Sequence, residues 1–525
     1  MRKRYPALIL SVLLMMATPG LAAPGLEATA TWDQVIREAI AAAQSGNFEV
    51  AEKHFEKACK LAEQPGAAPE QLPSSLNGLA RVKVELGDYK RAGELFSKAL
   101  DLAKSSKAPN NLQIASIESD IGTMYALQDR APMAEPFFKS SLDRMEKQFG
   151  PRNERVARVQ QQLGGIYLAL GELTKAETLL LTSQRFYESE HRFGVEYLAA
   201  TRTLSQVYIT RGDYKKASNL LEKALALAEL TSGPRSFAVG KCLNHLGNAY
   251  VAEAMDARRT NKPDHFKVRK DGLTEVTLTG TRNILLEKAE PLFKRALSIF
   301  RSLPRPDHRG EANCLNNLGV LYEHRDDPGT AENYYRQALA ITEKYLGPES
   351  LDTAGGLTNL AAIYDRQKRE VEAVAMLDRA IAMLEKQDAN LPLADALHNL
   401  GLIHEKCGRF AMAEKSLSRS LSILEKSHGR YHQSLCRVLP PLAEAYSKQG
   451  KTAHAEQLYQ RAIEISIKSF GPVHSEVAFC MESYAGFLKA DRRSNEAEHL
   501  EKRAEKIREK LRKNQKSPRK QEPGM

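Results

Sequence analysis

The chain has a single tryptophan and six cysteines in 525 residues, and aromatic side chains make up only 7% of it. Several constellations that carry chemistry are missing altogether. No HExxH, GxSxG or CxxC occurs, which removes the usual signatures of a zinc hydrolase, a serine hydrolase and a dithiol redox centre. Gly233 to Cys242 (GPRSFAVGKC) ends in Gly-Lys but has six residues between its glycines and a cysteine where a phosphate loop needs a hydroxyl, so it is not one. No recognition-helix pattern, zinc-finger spacing or aromatic–basic platform points to nucleic acid. These gaps argue against an enzyme and against any resident metal or cofactor.

Long apolar runs are also lacking, except at the start. Arg2-Lys3-Arg4, the apolar stretch Ala7 to Met16 and the small-residue exit Pro19 to Ala23 read as a secretory leader spanning residues 1–22, too short in its apolar part to cross a bilayer comfortably. The expectation is an exported, periplasmic or extracellular protein with no membrane span once the leader is removed. The formal charge is +11. Arg2, Lys3 and Arg4 fall in the leader, and the segment from Lys502 onward has ten basic against three acidic residues, so the body between is close to neutral. The basic character belongs to the ends and offers no basic groove to a nucleic acid.

What fills the body is one unit of about 42 residues. Leu86-Gly87-Asp88-Tyr89-x-x-Ala92 recurs as Leu170-Gly171-Glu172-Leu173-x-x-Ala176 and Arg211-Gly212-Asp213-Tyr214-x-x-Ala217. The alanine recurs at 51, 92, 134, 176, 217, 289, 331, 373, 413, 455 and 497. Twelve residues earlier stands a small residue (Gly122, Gly164, Gly319, Gly401), with a ring three residues on (Tyr125, Tyr167, Tyr322, Tyr364). Four after the alanine comes a large apolar or aromatic residue (Phe96, Phe138, Phe293, Tyr335). Offsets of three and four define two amphipathic helices per unit, joined at Gly-polar pairs and often ended by Gly-Pro, as at Gly347-Pro348. A period of this length means a solenoid whose repeats bury their apolar faces on one another. Cys242, Cys314 and Cys480 share one repeat position, about 10 Å apart in neighbouring repeats, too far for a disulfide, so all six cysteines read as buried small residues.

The small residue, the ring, Gly-Asp-Tyr, Ala, Phe and Ala resemble the tetratricopeptide repeat over about residues 32–510. The long period, and segments such as CLNNLGVLYEHRDD from Cys314, are similar to the repeats of kinesin light chains and their bacterial relatives, although Glu349-Ser350 replaces their His-Pro. The resemblance implies an all-α, right-handed superhelical solenoid of about eleven helical hairpins, or ten, since Glu38 and Ala42 fit the first repeat poorly. Repeats one to five and the first helix of repeat six would occupy 23–254. An insertion at 255–285 would carry a basic hairpin around Lys270-Asp271-Gly272. The remaining repeats would occupy 286–510 and a disordered basic tail 511–525.

In that family the first helices line the concave face. Residues two and three before the small position would then face the groove: Asn244 and His245, Asn316 and Asn317, Thr358 and Asn359, His398 and Asn399. A carboxamide donates and accepts, so it can pair with the backbone of an extended peptide; alternatively these residues bond to the next repeat and serve stacking alone. Pro440-Pro441 ends the row, and its helix should start late or kink. The expected partner is a protein or peptide, and the expected function is an exported interaction scaffold that binds an extended segment in its groove. The alternative is an assembly platform in a cell-envelope complex, docking through the convex face or the insertion. The insertion and tail are either solvated decoration or a salt-sensitive contact with an anionic surface.

Overall fold

The computed structural model describes residues 31–260, 279–387 and 389–516. The leader, the turn expected at Lys270-Asp271-Gly272 and the end of the tail lie outside them. Among the described residues the chain is helical, with 22 α-helices, α1 (Trp32–Gln44) to α22 (Ser494–Lys516), and no strand. Within each unit consecutive helices pair as hairpins; 22 helices make eleven repeats, and the poorly matching first one is present as α1 and α2 (Phe48–Ala62). The contacts divide the chain into two compact units, residues 1–166 and 167–525.

The hairpin turns require a left-handed residue. Gly87 and Gly212 supply it at φ +80° and +83°. Where glycine is absent, Asp129, Asp326, Lys368 and Arg492 adopt φ between 56° and 62° instead, accepting strain for the same geometry. Inside each hairpin the small residue faces the large one. A Cβ on Gly122 would lie 2.8 Å from the Phe138 ring, and one on Gly401 2.5 Å from Leu417. Those large side chains are almost completely buried.

Neighbouring repeats are joined by a clasp that the periodicity does not announce. The residue after the marker alanine is often glutamate, and it accepts from a basic side chain at the turn of the next repeat. Glu52 takes Lys83 at 2.5 Å in the first unit; Glu177 takes Arg211 at 2.5 Å, Glu290 takes Arg325 at 2.5 Å, Glu414 takes Lys451 at 2.6 Å and Glu456 takes Arg493 at 2.9 Å in the second. Tyr322 and Tyr484 add their hydroxyls to Glu290 and Glu456 at 2.8 and 2.6 Å. Burial alone would raise the Glu290 carboxyl, but its donors Lys294, Arg325 and Tyr322 together hold it down at about 2. The ring position is therefore not uniformly buried: Tyr364 is 4% exposed, whereas Tyr322 stays half-open with its hydroxyl in the clasp.

Several expectations need correction. Cys59 and Cys407 are half-buried, and only the other four cysteines are buried. Helices α11 (Phe237–Thr260) and α12 (Thr279–Ser302) run into both ends of the expected insertion, and α22 continues past Lys510 to Lys516. The first helix of repeat ten does start late: a 3-10 turn over Gln433–Arg437 precedes α19 (Leu439–Lys448), with proline in its first turn.

Candidate functional site: the face of the first helices in repeats five to nine

In the second unit, first helices of successive repeats touch one another directly: α9 (Val195–Arg211) meets α11, which meets α13 (His308–His324), then α15 (Leu351–Arg366), then α17 (Asn390–Lys406). The second helices approach one another less closely than the first. Packing that is tighter on one side curves the stack toward that side, so the first helices form its inner wall.

Of the eight polar residues expected on this wall, Thr358 donates its hydroxyl to Ala354 O at 3.0 Å in its own helix, His245 lies at the charged end of the row, and the other six separate into two groups. Asn317 Nδ2 donates to Asn244 Oδ1 at 2.9 Å, and the Cys314 thiol reaches the same oxygen at 3.4 Å. The first unit repeats the joint with other residues: Asn77 Nδ2 donates to Asp120 Oδ2 at 2.8 Å and Ser119 Oγ to Gln162 Oε1 at 3.2 Å. Position three before the small residue thus bonds to position two of the next repeat. Asn244 and Asn317 thus bond to each other across the repeats, as the stacking alternative expects, with Asn244 Nδ2 and Asn317 Oδ1 outside this bond.

Further along, the joint is not made. Asn316 Oδ1 and His398 Nδ1 are buried with no hydrogen-bond partner, and the half-buried carboxamides of Asn359 and Asn399 make no hydrogen bond within the described residues. An unpaired buried polar atom costs roughly 1–3 kcal/mol, so this row carries a cost that a ligand can relieve. Burial holds the His398 imidazole down at about 4, so at neutral pH it presents one donor and one acceptor.

The other end of the row carries positive charge. Arg202 of α9 and Lys241 of α11 are half-buried on this wall, and burial lowers the pKa of each. Lys241 Nζ lies 3.7 Å from Asp307 Oδ2 and over the rings of Phe237 and Phe300 at 5.0 and 5.6 Å. Arg309 is paired with Asp352 at 2.8 Å. Arg202 has no carboxylate partner among the described residues. His245, one turn beyond Lys241, is pushed down to about 3 by burial and by Arg202 and Lys241. Arg202 stands outside the row of residues singled out from the sequence. Its signal was a basic residue at a groove position followed by Lys241 four residues before His245. Among the described residues no group of His, Cys, Asp and Glu side chains could hold a metal ion.

The tetratricopeptide-repeat family model matches residues 71–147, 113–189, 285–344, 330–386, 392–468 and 441–510, and a second model of the same repeat matches 198–238. Together they cover well over half of the chain, which belongs to the tetratricopeptide-repeat family. A comparison with curated proteins finds no match. Among solved structures the chain is similar to BtubC (BKLC) from P. vanneervenii, with 20% identity and TM-score 0.36 over 50% of this chain and 92% of that one. It is also similar to a Podosopora anserina putative kinesin light chain, with 22% identity and TM-score 0.33 over 38% and 96%. The quorum sensor NprR from B. thuringiensis gives 14% identity and TM-score 0.44 over 83% and 97%. The chain is a tetratricopeptide-repeat protein-interaction scaffold.

Proposed function

We propose that the second unit binds an extended peptide segment of a partner protein along the inner wall of α9 to α17. The observation that carries this reading is the run of unpaired polar groups at Asn316, Asn359, His398 and Asn399, at positions that three other junctions pair across repeats, Asn77–Asp120, Ser119–Gln162 and Asn244–Asn317. First helices roughly 10 Å apart would meet an extended strand about every third residue, at about 3.3 Å per residue. Backbone pairing of this kind is tolerant of ligand side chains. The uncompensated Arg202, beside Lys241, favours a carboxylate at that end of the segment. We further propose that residues 1–22 act as a leader that carries this function outside the cytoplasm, which N-terminal sequencing of the mature protein tests.

Retention of partners on immobilised protein separates this reading from a purely structural row. Changing Asn316, Asn359 and Asn399 together to Ala should abolish partner retention while leaving the melting curve nearly unchanged. Changing Asn244 and Asn317 to Ala should lower stability and spare retention. Retention that survives the triple change excludes the groove.

A further inference from the structure

In the second unit, residues far apart along the solenoid meet in a regular order. His432, in the connector before repeat ten, lies against Gly171, the turn of repeat four: a Cβ on that glycine would stand 3.4 Å from His432 Cδ2 and 3.5 Å from Nε2. One repeat further along both stretches, His474, in the connector before repeat eleven, faces Gly212, the turn of repeat five, with Nε2 at 3.7 Å from the same position. One repeat further again, α11 of repeat six meets α21 (Ser475–Ala490) and α22 of repeat eleven.

Both histidines are held in the same way. His432 Nδ1 accepts from the Ser434 N–H at 3.3 Å, and His474 Nδ1 accepts from the Glu476 N–H at 3.1 Å. Each ring caps the helix that follows and turns its Nε2 edge to a left-handed glycine, at φ +75° and +83°. A Cβ at Gly171 or Gly212 would stand in ordinary contact with these rings, so the two stretches are packed against each other. Three successive contacts at about the same repeat offset are what one closed turn of a superhelix produces.

We propose that this closure makes the binding face of the second unit the wall of a channel, not of an open groove, so that the ligand it takes is an extended segment with a free chain end, threaded along the axis. A loop anchored at both ends in folded protein is refused, because it can only be laid in from the side, where repeats four to six already lie against repeats ten and eleven. The proposal rests on the peptide-binding reading for its ligand, but the closure itself is a separate observation.

Two measurements test it. The first uses the full chain with the half-buried Cys59 and Cys407 changed to Ser, and with Glu172→Cys and Gln433→Cys added across the repeat-four contact, where Glu172 is exposed and Gln433 half-buried. A short bismaleimide should link the two quickly within one molecule. Absence of that link in a protein that keeps its helical circular dichroism overturns the closure. The second uses a pool of random peptides carried either at the free end of a small folded domain or between two such domains. The free-end pool should be retained more than the doubly anchored pool by about tenfold or more. Equal retention of the two overturns the channel and leaves the peptide-binding wall standing. If neither pool is retained although the cysteines link, the closure stands and the peptide reading falls, taking the threaded ligand with it.

Discussion

Gly319→Ala isolates the joint on which every repeat is built. A Cβ there would lie 2.5, 2.7 and 2.8 Å from Cε1, Cδ1 and Cζ of Tyr335, where ordinary contact begins at 3.4 Å. Tyr335 is 2% exposed and its hydroxyl donates to Glu323 at 3.1 Å, so the ring has to retreat by about 1 Å into a packed interior. Overpacking of this kind costs about 1–3 kcal/mol, and weakening the bond to a carboxylate adds about 1 kcal/mol. Against this, alanine gains about 1 kcal/mol over glycine inside a helix. The packing terms win, with a net loss of about 1–3 kcal/mol. Gly355→Ala on α15 is the control: it is exposed and nothing lies within 4 Å of its added Cβ, so only the helix gain remains. Urea denaturation followed by circular dichroism should move the two variants in opposite directions. Because a solenoid is stabilised repeat by repeat, amide exchange should rise first in α13 and α14 (Pro328–Ile341). A Gly319→Ala protein as stable as Gly355→Ala would refute the reasoning.

Tyr364→Ala should cost about 3–5 kcal/mol, as for a fully buried aromatic, and Tyr322→Ala clearly less, because that ring is half-open; equal losses in denaturation would contradict the distinction. Glu290→Gln should cost about 1–2 kcal/mol after allowance for solvent screening. The Glu290 pKa is depressed in the fold, so its contribution is present above the ordinary value of 4.5 and is lost as pH falls toward about 2; a pH titration of stability should show the variant flatter in that window. Glu85 is the opposite case. Burial, only partly offset by Arg81, pushes its pKa up to about 7, so the first unit should lose stability as pH rises from 4.5 to 7, and Glu85→Gln should remove that slope. An unchanged slope in the variant would show that another group carries it.

The sequence by itself determined the helices and their pairing, and left only the first hairpin, α1 and α2, for the structure to decide. Those rest on offsets of three, four and twelve residues, which local geometry converts directly into faces of a helix, and the same few contacts recur eleven times. The small residue at Gly319 and its large partner at Tyr335 were legible for that reason, as was the late start of α19 at Pro440-Pro441. Only the tertiary structure decided which members of the asparagine row are spent. Asn244 and Asn316 stand at the same position in the repeat, yet one accepts from Asn317 and the other is left unpaired, because the outcome depends on what the neighbouring helix places opposite. The clasp at Glu290 needs a partner from the following repeat, and the contacts of His432 and His474 with Gly171 and Gly212 join residues separated by most of the second unit. A period records what each repeat does alike. These pairings depend on how the stack curves, which accumulates from small rotations between all the repeats that lie between.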